Sequence, residues 1–239
     1  MTPVILFVFG AVTGSFLNVV ALRYNSGLSL GGRSACAHCG RKLRWFELVP
    51  VLSYLYLRGR CRGCRAKISR QYPLVELWTG LLFATLPLSY LPVFSLYVAI
   101  TVYDLRHKII PDGLAYAAAA LALLFALLMG GRGLLDWLAG PVLFSFFGLI
   151  WFLSRGRAMG FGDAKLALSI GLLLGAREGF SAVVAAFWIG AAYGIGAMIF
   201  SPKRLTMKSE VPFAPFLVLG SWAAAALHLD LLHVSSFFQ

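Results

Sequence analysis

Only nine acids stand in this chain of 239 residues, and two of them sit where an ionised carboxylate is costly. The stretch "YDLRHKIIPD", residues 103–112, puts Asp104 at the end of a long apolar run, and "AMGFGDAK", residues 158–165, puts Asp163 at the start of another. Ionisable groups at membrane depth face a cavity or a partner, and they mark functional sites. Two carboxyls held close together share one proton, so one can deprotonate a water while the other donates to a peptide carbonyl. The chemistry implied is peptide hydrolysis without a metal. Each acid also has a structural alternative: Asp104 can end a helix beside Arg106 and His107, and Asp163 can cap one, with Lys165 solvated at the interface. Asp112 reads as a cap behind Pro111. Asp136 and Asp230 read as solvated carboxylates on the outer face, and His38, His107, His228 and His233 show no ligand spacing.

A second constellation is built from sulfur. All four cysteines, Cys36, Cys39, Cys61 and Cys64, fall in one loop as "CAHC" and "CRGC". Two C-x2-C turns each offer two sulfurs to one ion, so the pattern predicts a closed, structural zinc site; a pair of disulfides is disfavoured in a reducing cytosol.

The elements that must position these groups follow from composition. With 60% hydrophobic and 13% charged residues and a mean hydropathy of +0.82, the chain reads as an all-α polytopic membrane protein rather than a soluble globule. Apolar stretches at 3–22, 73–90, 91–105, 113–130, 134–153, 164–177, 180–200 and 212–231 predict about eight spans. Those at 91–105 and 164–177 are short, and Pro87 and Pro92 mark places where a span could be broken. The expected organisation is a first helix (1–22), a zinc-binding loop (23–72) and a helical bundle (73–239), with no internal repeat. Met1-Thr2-Pro3 offers no basic segment before the first span, which is therefore expected to be retained.

Orientation follows the basic residues. Of 21 Lys and Arg, all but Arg132 and Arg177 fall in the 23–72 loop or in loops on its side, Lys203, Arg204 and Lys208 among them. That places the loop in the cytoplasm and both termini outside. Asp104 and Asp163 then reach the same cytoplasmic face, although neither entered the count. Anionic lipid head groups account for so basic a set of loops, and nucleic acid is not the expected partner.

In order along the chain, "GSFLNVVALR" (14–23), the two C-x2-C pairs around "PVLSYLYLRGR" (50–60), "ISRQYPLVEL" (68–77), "YDLRHKIIPD" and "GFGDAK" resemble the bacterial type IV prepilin peptidases, membrane aspartyl proteases of the G-x-G-D type. The resemblance implies that Asp104 and Asp163 form the catalytic pair. It implies an inner-membrane enzyme that removes the basic leader of prepilins or pseudopilins at the cytoplasmic face and methylates the new N-terminus with S-adenosylmethionine. Glu47 and Glu76, the only acids before residue 103, become candidates for methyl transfer; salt bridges to Arg44, Arg58 or Arg70 are the alternative. Glu47-Leu48-Val49-Pro50 and Arg23-Tyr24-Asn25 depart from the family's usual Glu-Asn and Arg-x-Pro patterns. The loop's cations would attract an acidic residue of the mature pilin. Ser15 and Asn18, three apart on one helix face, are expected to bond across helices. Three rivals remain: a peptidase without methylation, a noncatalytic scaffold, and a proton-coupled transporter, whose relay belongs near mid-membrane.

Overall fold

The computed structural model describes residues 2–27, 29, 31–200 and 211–231; Met1, Lys203, Arg204, Lys208 and His233 lie outside them. The chain forms two compact units, Met1–Leu91 and Pro92–Gln239. It is all-helical apart from turns and two isolated β-bridges among the described residues.

In the first unit, α1 (Pro3–Arg23) packs along α3 (Gln71–Thr85). The contact is close because Gly10 and Gly14 face it: a Cβ on Gly10 would lie 2.6 Å from the Thr79 carbonyl oxygen, and one on Gly14 would lie 3.0 Å from Glu76 Cα. Small residues four apart let helix backbones approach in lipid, where hydrophobicity gives no drive to associate. The expected bonding across helices is present. Gln71 donates to Asn18 Oδ1 at 3.1 Å, and Ser15 bonds the Glu76 carboxylate.

Between these helices the loop holds a single-turn 3-10 segment at Trp45–Glu47 and the short α2 (Leu52–Tyr56). It also holds a repeat that the sequence reading did not expect. Bridges Ala35–Lys42 and Arg60–Lys67 close two small hairpins, each around one C-x2-C. In both, the first cysteine's N–H bonds the carbonyl five residues on (Arg41, Ala66), and its carbonyl accepts from the residue four on (Gly40, Arg65), all at 2.9–3.0 Å. Gly40 and Arg65 both take positive φ, 68° and 58°. The repeat escapes a sequence reading because the hairpins share backbone geometry and cysteines but few side chains.

The second unit consists of α4 (Leu91–His107), α5 (Asp112–Met129), α6 (Leu134–Ser154), α7 (Phe161–Phe200) and α8 (Ala214–Leu227). Helix α7 is central and packs on α5, α6 and α8. Tyr97, Phe94, Phe147, Leu166 and Ile170 are fully buried in this bundle, and the Tyr97 and Ser169 hydroxyls bond at 2.9 Å. Helices α1, α5, α6 and α7 are long and apolar enough to cross a membrane, and large apolar side chains such as Phe9, Leu128 and Phe152 are exposed to what surrounds them. This is an integral membrane protein.

Helix α7 contains a break that yields segments 161–174 and 176–200, so the eight expected spans are all present as helical segments. Gly175 has φ 75° and ψ −169°, a region open essentially to glycine alone. The polar groups freed there are recaptured. The Arg132 guanidinium bonds the carbonyls of Leu172 and Leu173, and Asp136 accepts the Ala176 N–H at 2.9 Å. Asp136 is therefore a cap for the second half of α7, not a solvated carboxylate. Asp230 likewise pairs with Arg177 at 3.4 Å, and His228 pairs with Glu178 at 2.9 Å.

Candidate functional sites

Asp104 lies in the last turn of α4 and Asp163 in the first turn of α7, and the two residues are 5% and 7% exposed. They are near enough to interact through their charges. Asp104 accepts the backbone N–H of Ala214, the first residue of α8. Pro215, the second residue of that helix, suits a helix start because its missing N–H is not needed there. Asp163 is the third residue of its helix rather than the residue that precedes it, and its carboxyl faces the N–H of Gly160 just before the helix. Neither acid has a cation as a partner among the described contacts.

The approach depends on Gly162. A Cβ there would stand 2.6 Å from Ile110 Cβ, and Ile110 is a buried residue of the α4–α5 connection. The tight "GFG" turn and "KIIPD" therefore meet, which brings the two acid-bearing helix ends together.

Asp112 and Lys165 hold the same junction. Lys165 is not solvated as the sequence suggested. Its ammonium is buried, bonds Asp112 Oδ1 at 2.6 Å, and lies 5.0 and 5.2 Å from the ring centres of Tyr116 and Phe161. The Asp112 side chain is two-thirds exposed, so the pair itself contributes no more than about 1 kcal/mol to stability. Its larger effect is to tie the start of α5 to the turn bearing Asp163. Lys165→Met should slow peptide cleavage about ten-fold, equivalent to 1.4 kcal/mol of barrier. The exchange Asp112→Lys with Lys165→Asp should recover part of that loss, as read from single-turnover rates.

Thr101, one turn before Asp104, is a residue that sequence reasoning missed. Its Oγ1 is buried and has no hydrogen-bond partner. A threonine in an apolar helix carries no sequence signal of this kind.

The cysteine cluster is the second site. All four thiols are unbridged, their Sγ atoms lie within 4.8 Å of one another, and Cys36 and Cys64 Sγ are 3.8 Å apart. Four sulfurs at about 2.3 Å around a tetrahedral zinc would stand about 3.8 Å from each other, so the donor set fits a metal ion of this class. Backbone N–H groups of Cys64 and Gly63 pull the Cys61 thiol down to about 6, which favours the thiolate that a metal requires. Arg41 bridges outward from the cluster: it lies beside Cys61 and pairs with Glu47 at 2.5 Å.

Glu47 and Glu76 hold the loop in shape. Glu47 pairs with Arg41, rather than with the expected Arg44 side chain, and accepts the Arg44 backbone N–H at 2.8 Å. The Arg41 hydrogen bond holds its carboxyl below the usual carboxylate range. Glu76 accepts the Val51 N–H at 2.8 Å instead of pairing with Arg58 or Arg70. Val51 has φ 62° and sits in a tight turn closed by Leu52 N–H to the Pro50 carbonyl at 2.6 Å. Such a backbone costs about 1–3 kcal/mol in a β-branched residue. The Glu76 bond is one of the contacts that hold it.

Two buried acids near each other in a helical bundle, with four clustered thiols on the same chain, belong to an integral membrane protein. Residues 8–90 match the bacterial peptidase A24 N-terminal domain, and residues 90–195 match the type IV leader peptidase family. The chain is 32% identical over 259 residues to a prepilin leader peptidase/N-methyltransferase of Aeromonas hydrophila, covering 92% of this chain and 89% of that one. The Bacillus subtilis protein of the same name is 36% identical, covering 91% of each chain. An Escherichia coli type 4 prepilin-like proteins leader peptide-processing enzyme is 33% identical, covering 94% of each. The chain belongs to the type IV leader peptidase family. No solved structure matches it.

Proposed function

We propose that this protein removes the leader of a prepilin or pseudopilin and then methylates the new N-terminal amine, working at the cytoplasmic face of a bacterial inner membrane. The observation that supports the peptidase half is that two buried carboxyls, Asp104 at the end of α4 and Asp163 at the start of α7, lie near enough to interact through their charges. One carboxylate takes a proton from water as it attacks the scissile carbonyl. The other, protonated, donates to the carbonyl oxygen, and a proton then passes to the leaving amine. Both acids map to one end of their helices, which favours this reading over a relay through mid-membrane.

The methyl-transfer half is assigned to the 23–72 loop, with residues 1–22 as its leading helix and the peptidase bundle following from 73. The four cysteines hold zinc, which folds the loop and takes no part in the chemistry. S-adenosylmethionine supplies the methyl group. Glu47 and Glu76 are the acids that can serve the amine or the cationic donor there. Glu47→Gln keeps the shape but loses the charge paired with Arg41, and methylation of cleaved product should fall at least about ten-fold with metal content unchanged. Normal methylation would remove Glu47 from this role.

Purified protein incubated with a prepilin and labelled S-adenosylmethionine should give a product that is both shortened and labelled at its N-terminus, as read by mass spectrometry. A shortened, unlabelled product would leave the peptidase alone. An intact substrate would contradict the whole reading.

A further inference from the structure

Beside the second cysteine hairpin lies a cavity of about 560 Å³ whose walls include Tyr54, Arg58, Arg60, Lys67 and Arg70. No acid lines it, and none of the four cations has an acidic partner among the described salt bridges. Its shape is fixed by the Arg60–Lys67 bridge and by the left-handed pair Arg58 and Gly59, with φ of 51° and 66°. Tyr54 closes over Gly59 so tightly that a Cβ there would lie 2.8 Å from the tyrosine oxygen. Four unneutralised cations around one cavity call for an anion, and the volume suits a group larger than a bare phosphate.

The surroundings identify which anion. The short α2 runs into this cavity and exposes Leu52, Leu55 and Tyr56, and Trp45 is 80% exposed nearby in the sequence. The helix α3 starts at Gln71, the residue after Arg70, so the cavity lies where the chain enters the apolar helix that packs on α1. Exposed leucines and aromatic rings beside Arg and Lys form the pattern of a segment lying in a membrane interface, with its cations at the level of lipid phosphates.

We propose that this cavity binds the headgroup of an anionic phospholipid, with α2 seated in the same leaflet. The proposal does not depend on which reaction the loop serves. It converts a general attraction between basic loops and lipid into one saturable site.

The test uses the full-length, metal-loaded protein in nonionic detergent. Native mass spectrometry would follow its titration with short-chain phosphatidylglycerol, short-chain phosphatidylcholine or inorganic phosphate. One phosphatidylglycerol should bind at least about ten-fold more tightly than phosphatidylcholine. Arg58→Gln/Lys67→Gln should abolish that preference, and Leu52→Ser/Leu55→Ser should weaken both lipids alike. If the first pair fails to fold, judged by metal content, Arg60→Gln/Arg70→Gln tests the same wall. Equal binding of the two lipids, or a preference that survives in a folded pocket variant, would overturn the proposal. Inorganic phosphate binding as tightly as phosphatidylglycerol would also overturn it, as would an acidic peptide that binds the pocket where phosphatidylglycerol shows no preference.

Discussion

Asp104→Asn and Asp163→Asn should each abolish leader cleavage, with turnover falling about 10⁴-fold or more. Asparagine matches aspartate in shape and retains an oxygen that can accept the Ala214 or Gly160 N–H, so each bond to the carboxyl can persist. What is lost is the proton. A pair that must both take a proton from water and give one to the substrate fails if either member cannot titrate. A large loss with helix content and metal content unchanged is therefore chemical rather than structural. The expected profile also separates catalysis from positioning. Lys165→Met weakens cleavage and its charge exchange partly restores it, whereas no second substitution at Asp112 or Lys165 should rescue an Asn variant.

Removing the metal should have an equally large effect on the other half of the protein. Structural zinc sites in small domains supply roughly 10–16 kcal/mol of apparent binding energy, which is folding energy for the residues around them. The hairpins at Cys36–Cys39 and Cys61–Cys64 hold little else: each is closed by one bridge, and Cys61 is the only buried cysteine of the four. Cys61→Ser, or treatment with a strong chelator, should unfold the loop and drop methyl transfer below detection. None of the contacts of Asp104 and Asp163 described above involves a cysteine or a loop residue, so cleavage should persist at a substantial fraction of its normal rate. Metal analysis with paired cleavage and methylation assays would check this. Full methylation by a metal-free protein would refute a structural metal.

The elements of the fold were readable because lipid imposes a length and a polarity on every span. Hydropathy placed the helices, and C-x2-C spacing picked out the four thiols that cluster. Asp104 and Asp163 stood out because acids are scarce and both fell beside apolar runs. What escaped the sequence were interactions made by backbone or between distant polar residues. The Ala214 N–H that meets Asp104 has no side-chain signature. Asp136 read as a solvated carboxylate and Arg132 as a cation on the outer side, yet they cap a break at Gly175 about 40 residues away. Lys165 seemed to belong to the interface because nothing local pairs with it, and its partner is Asp112, 53 residues earlier. Gly10 and Gly14 drew no reading from the sequence, and the facing Thr79 and Glu76 show what their four-residue spacing permits.

The central claim is that Asp104 and Asp163 act as one unit. It is tested most directly by single-turnover cleavage of a prepilin by wild-type protein, the two single Asn variants and the double variant, all reconstituted in the same lipid. Groups that act as a unit are non-additive, so the double variant should be no slower than the slower single one. A single variant that cleaves at the wild-type rate, or two losses that multiply in the double variant, would contradict a shared site.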